Sequence, residues 1–310
     1  MKQTTSNLFL IRPFKFFGNP ETSVNNYFQS NEANEGHINI SKKALDEFDN
    51  FFEILQKNNL NVILFNDTEK PITPDSIFPN NWISTYQDGG IFIHPMFAEN
   101  RRLERRKDII DFLKRNFSVS NVFNDAEFHE KNQNFLEGTG SMVLDRVNKI
   151  VYAALSERTC QDLLNEFCKK INFSPVSFTA FQNFNQDKII YHTNVMMSVC
   201  DNFVIVCLDS IVDTNEKNKV LDSLIQTKKE IIPISIEQVS NFCGNVLEVK
   251  SNTDENLLIM STKSFNSFSK NQKKIINRFC KIVHSPLDTI EKYGGGGARC
   301  MIAEIFLNKI

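Results

Sequence analysis

The chain has 310 residues, of which 41% are hydrophobic and 23% charged, and its formal net charge is -2. This balance is that of a packed globular protein and argues against disordered, collagen-like and membrane-embedded classes. It leaves no cationic excess for gripping a phosphate backbone, so nucleic acid is not an expected partner. The opening segment MKQTTSNLFLIRPFKFF is broken by Arg12 and Lys15 before a signal-length apolar core forms, and no run approaches the ~18 apolar residues of a membrane span. A cytoplasmic protein with no membrane partner is the expectation.

Along the chain, a helical pattern covers 41–59, with Ser41 as its cap, and an apolar run NVILF at 61–65 follows as a strand. Further strands are expected at 89–95, 141–145, 149–155, 194–200 and 202–208, where short runs rich in Val and Ile are bounded by turn residues. Between and after them, helices are expected at 99–116, 157–172, 215–229 and 268–282. Within 99–116, Arg101 to Lys107 reads as a solvated helix face that lends one side chain to a pocket. The final segment MIAEIFLNKI has the composition of a helix or a strand. No linker interrupts this α/β alternation and no fixed period is visible, so residues 1–310 read as one domain.

Seven cysteines, odd in number and without a C-x-x-C pair, read as free thiols rather than zinc ligands or disulfides. The Asp and Glu residues show no metal-ligand clustering, and no metal or organic cofactor is expected. The many phenylalanines are assigned to the core.

The sharpest local feature is Gly294-Gly295-Gly296-Gly297-Ala298-Arg299-Cys300. Consecutive glycines cost backbone entropy, so they imply positive φ angles or close backbone approach. A phosphate loop is disfavoured because no Lys-Ser/Thr pair follows. The remaining reading is a loop that presents Cys300 at a pocket, with Arg299 and backbone N–H groups favouring its thiolate. A lone cysteine is ordinarily an inert core thiol, and a nucleophile needs partners. Among the histidines, His37, His129 and His284 sit in polar surroundings and read as surface residues, and His94 ends a strand and reads as structural. His192, in IIYHTNVMM, lies where an apolar run turns polar, a suitable place for an acid/base imidazole. Glu137, in NFLEGTGSMVL, precedes a Gly-Thr-Gly turn and is placed to orient an imidazole.

LEGTG, YHTN and GGGGARC, in this order, resemble the acid, histidine and cysteine motifs of the guanidino-modifying enzymes: arginine deiminases, dimethylarginine dimethylaminohydrolases and amidinotransferases. PDSIFPNNW, HPMFAENRRLE, AALSERT and GNVLEV extend the resemblance over nearly the whole chain, and NPETSVNN, FPNNW and GGGGARCM bring it nearest to bacterial citrulline ureidases. The resemblance implies a fold, the five-bladed pseudo-fivefold α/β propeller called pentein, which the alternation alone does not distinguish from a doubly wound sheet. It implies Cys300 as nucleophile, His192 as acid/base and Glu137 as the supporting carboxylate. It further implies that Arg158, and Arg102 in the second arginine segment, hold the substrate's α-carboxylate, with Arg12 and Arg299 as weaker candidates.

Relatives that bind guanidinium carry carboxylates at the positions matching Asn81 and Asn194. A guanidinium is a permanent cation best gripped by carboxylates, whereas an amide offers the acceptor and donors that suit an uncharged ureido group. Asn81 and Asn194 therefore point to citrulline as the small-molecule substrate, hydrolysed to ornithine, carbon dioxide and ammonia, with Asn80 as a further candidate for binding it. Two other readings stay open at this stage, an arginine-directed hydrolase or amidinotransferase and a non-catalytic binding module. A homo-oligomer is compatible with the sequence.

Overall fold

The computed structural model describes residues 1–30, 36–183 and 185–310, except the side chain of His37, so the surface position expected for that histidine lies outside the described residues. Among the described residues, fifteen strands form five separate three-stranded sheets. The first sheet joins β1 (Asn7–Arg12) and β2 (Asn61–Asn66), and the second contains β3 (Ile83–Thr85), β4 (Gly90–Ile93) and β5 (Asn121–Phe123). The third holds β6 (Val143–Asp145), β7 (Ile150–Ala154) and β8 (Ser174–Phe178), and the fourth β9 (Met197–Val199), β10 (Phe203–Val206) and β11 (Glu230–Pro233). The fifth consists of β12 (Leu247–Lys250), β13 (Asn256–Ser261) and β14 (Lys281–Ser285), while β15 (Ala303–Glu304) returns to complete the first.

Each sheet repeats one plan. A short inner strand pairs antiparallel with a middle strand, which pairs parallel with an outer strand after a helical crossover. Parallel neighbours require such a crossover, and Lys107–Asn116, Gln161–Ile171 and Thr214–Gln226 are three of these helices. The inner strands begin at 83, 143, 197, 247 and 303, at intervals of 50 to 60 residues. This is the five-bladed α/β propeller of the pentein fold, and the doubly wound alternative does not apply.

Burial follows the helical period. In His37–Lys57, Ala44, Phe48, Phe51 and Leu55 share the face that packs on Leu8 and Leu10 of β1. Each fully buried Phe or Leu of this kind contributes about 1.5–3 kcal/mol. The helix starts four residues before the expected cap, and Ser41 Oγ instead accepts from Phe16 N at 3.1 Å. The expected helix 99–116 is broken into Glu99–Arg102 and Lys107–Asn116, and two ion pairs, the buried Arg101–Glu104 and the partly buried Arg105–Glu130, draw the intervening turn inward. His129 is buried rather than superficial, and His284 is exposed. His94 is buried, with Nε2 2.7 Å from Ser84 Oγ, as a structural histidine should be. Among the described residues no helix is long and apolar enough to cross a membrane.

Candidate active site

The segments that lead into the inner strands converge at one end of the propeller. The turn Pro79–Asn81 precedes β3, Glu137 with the short helix Gly138–Ser141 precedes β6, and His192 with the turn Thr193–Val195 precedes β9. Gly244-Asn245 precedes β12 and the glycine loop with Cys300 precedes β15, so each blade supplies one polar position. A narrow cavity lies among them, lined by Asn81, Arg101, Arg158, His192 and Cys300 together with Asp75, Phe78 and Tyr191.

Local sequence explains the close assembly. A Cβ on Gly140 would stand 2.4 Å from Asn81 Nδ2 and 2.6 Å from His192 Nδ1, so only glycine lets these two side chains approach the turn. Gly295 caps the helix Asp288–Gly294 at φ 64°, a left-handed position where a side chain is strained. The other glycines of the loop lie against Phe78 and Asn245. The loop therefore combines both reasons expected of it.

Glu137 is fully buried; its Oε2 lies 2.7 Å from His192 Nε2 and its Oε1 accepts from Phe97 N at 2.9 Å. Burial pushes the carboxyl up, but the Arg158 cation at 3.7 Å and the hydrogen bond to His192 outweigh it and bring Glu137 down to about 2. Burial pulls His192 down to about 4 against the opposing effect of Glu137. The imidazole is neutral at physiological pH. Burial likewise raises the Cys300 thiol, and the hydrogen bonds from Asn245 Nδ2 at 3.2 Å and Asn194 Nδ2 at 3.4 Å offset only part of that rise. The glycine loop and Arg299 do act to lower this thiol, through the backbone of Gly297 and the Arg299 charge, but burial outweighs them.

Several expected binding residues are placed elsewhere. Arg102 turns away and donates to Met96 O and Phe97 O at 3.1 Å, and the guanidinium at the cavity belongs to Arg101. Arg101 and Glu104 are three residues apart on one helical turn and share two hydrogen bonds of 2.9 and 3.0 Å, whereas Leu103 between them is exposed. Arg299 is drawn to Glu304 at 2.9 Å and Arg12 to Asp49 at 2.7 Å, both away from the cavity wall. Asn80 is buried and donates to Thr139 Oγ1 at 3.3 Å, bracing the neighbouring blade rather than facing the cavity. Asn194 faces the cysteine sulfur. Arg158 does line the cavity, held by Thr22 O and Asn25 Oδ1, and stacks 4.7 Å from the Tyr191 ring.

Asn245, Asp75 and Arg101 were not named individually from the sequence, although GNVLEV, PDSIFPNNW and HPMFAENRRLE, which contain them, stood out as segments and Arg101 opens the run expected to lend one side chain to a pocket. Asn81 Oδ1 accepts from Arg101 Nη1 at 2.9 Å, while its Nδ2 is buried, unpartnered and at the cavity wall. Because arginine only donates, this contact fixes which end of the amide faces the cavity.

The sequence profile described as N,N dimethylarginine dimethylhydrolase, eukaryotic, matches residues 12–307. Among solved structures, apo ArgZ, an arginine dihydrolase from the ornithine-ammonia cycle in Cyanobacteria, is 16% identical with a TM-score of 0.73, covering 96% of this chain and 40% of that one. This chain thus spans two fifths of that protein's length. The N-terminal domain of ArgZ bound to substrate is 17% identical with a TM-score of 0.73, covering 97% of this chain and 99% of that one. A dimethylarginine dimethylaminohydrolase adduct with S-methyl-L-thiocitrulline is 14% identical with a TM-score of 0.62, covering 97% and 99%. A search of curated proteins gives no significant match.

Proposed function

Because the chain belongs to the family described as N,N dimethylarginine dimethylhydrolase, eukaryotic, we propose that it is a cysteine hydrolase of ureido C–N bonds, acting on citrulline within a single catalytic domain. The observation that supports citrulline is the orientation of Asn81. With Oδ1 occupied by Arg101, this residue offers the cavity a donor, which complements a carbonyl oxygen and not a guanidinium nitrogen.

The ionisation of the site suits an uncharged substrate. Thiol and imidazole both rest neutral, so His192 takes the Cys300 proton as sulfur attacks the ureido carbon. Charge then develops on the carbonyl oxygen, where an N–H donor such as Asn81 Nδ2 stabilises it. Glu137 stabilises the imidazolium, which returns its proton to the δ-nitrogen as the C–N bond breaks and ornithine leaves. Water, deprotonated by His192, attacks the carbamoyl-sulfur intermediate; the thiol is restored and carbamate departs, decaying to ammonia and carbon dioxide. Arg158, buried at the cavity wall, is suited to the substrate carboxylate.

A second reading has its own support. Asp75 Oδ1 is buried without a partner at the same cavity, and a guanidinium seeks such an acceptor. One assay separates the two: the protein is incubated with citrulline or arginine and ornithine is quantified, with Cys300→Ala as control. Faster product formation from arginine than from citrulline overturns the citrulline reading.

A further inference from the structure

A second cavity, small and polar, lies along the inner strands β6, β9, β12 and β15. Asn194 belongs to its wall while donating to the Cys300 sulfur, so it stands between this cavity and the nucleophile. Arg146, just after β6, is buried at the same wall with its guanidinium 3.7 Å over the Phe306 ring. Among the described residues it has no carboxylate within ion-pair distance, and its Nη1 is wholly buried without a hydrogen-bond partner.

A buried cation without an acceptor is costly to keep, and five N–H donors in a planar fork match a planar oxyanion better than any other small ligand. Arg299 faces the same cavity, its charge matched by Glu304 at 2.9 Å. On the other side, Glu248 Oε1 is also unpartnered, and burial raises that carboxyl to about 7, which leaves it only partly charged near neutral pH. The balance at the wall is positive.

We propose that this axial cavity binds a small planar oxyanion of the carbonic-acid class, bicarbonate or carbamate, on Arg146. The choice of anion rests on the ureido reading, since carbamate is the acid half of that hydrolysis, while the site itself stands on the cavity and its unpaired guanidinium. The anion accepts two parallel hydrogen bonds from Arg146, the arrangement that guanidinium and carboxylate groups share.

The test titrates ¹³C-bicarbonate into the substrate-free full chain and follows its NMR line width, beside Arg146→Leu. The expected result is saturable broadening in the wild type and at least tenfold weaker binding in Arg146→Leu. Equal binding in both proteins, or none in either, overturns the proposal. Because removing a buried guanidinium risks misfolding, Val143→Phe fills the cavity with the charge intact; lost binding in that folded variant supports the site, and retained binding refutes it. Citrulline turnover is read separately on the wild type. Absence of ornithine removes the ureido reading while bicarbonate binding remains measurable, and absence of binding removes the anion site while turnover stands.

Discussion

A thiol held above its ordinary range at the same cavity as an imidazole held near 4 behaves differently from a preformed ion pair. Alkylation of Cys300 by iodoacetamide is expected to climb through and beyond pH 9 without a neutral plateau; a plateau near pH 7 counts against the neutral pair. The acid limb of kcat/KM for citrulline is expected near pH 4 rather than 6.5, because His192 is a base only above its lowered value. The same shift has a stability sign: between 6.5 and about 4 the unfolded imidazole binds a proton that the folded one refuses, so this contribution falls as pH falls. Asn81→Asp removes the free donor and is expected to lower citrulline turnover by about 10²–10³-fold, measured beside arginine turnover, which the new carboxylate is expected to raise. At this scale the sequence was legible where order carried meaning, in LEGTG, YHTN and GGGGARC, and illegible where direction did. Arg101 and Arg102 are adjacent and chemically identical, and only the helical turn that pairs Arg101 with Glu104 sends one inward and the other out.

Between residue and fold, the turns before the inner strands carry the site. Gly140→Ala places a methyl group within 2.4 Å of Asn81 Nδ2, and relief of that clash by moving Asn81 or His192 is expected to cost ~10²-fold in kcat. Its melting temperature should drop by only a few degrees; an active Gly140→Ala enzyme contradicts the described packing. These turns also set where the inner strands start. The runs at 141–145 and 194–200 look continuous, yet their first residues belong to the short helix Gly138–Ser141 and the turn Thr193–Val195, and only Val143–Asp145 and Met197–Val199 are strand. Hydrophobic content does not distinguish a buried turn from a buried strand. Longer runs such as β7 and β10 were plain, because five or four consecutive apolar residues fit a strand enclosed on both faces.

Taken whole, the molecule hides its repeat. Five blades of one plan recur at 50 to 60 residues with inner strands of only two to four residues, too short to leave a period in the sequence. Family resemblance, rather than periodicity, supplied the propeller. Gln3 ties blades together across the axis, donating to Leu144 O at 2.9 Å and Val199 O at 3.0 Å and accepting from Arg146 N at 2.8 Å. Gln3→Ala should therefore lose about 3 kcal/mol and lower Tm by roughly 5 °C, checked by calorimetry; an unchanged Tm denies that tie. The pairing of β1 with β15 brings Leu8 beside Glu304 and seals the ring only a few residues past the cysteine. During synthesis the sulfur thus meets its imidazole only after the other blades have left the ribosome. Newly made protein should gain catalytic competence in a single late event, and an intermediate with four finished blades should be well folded locally and chemically silent.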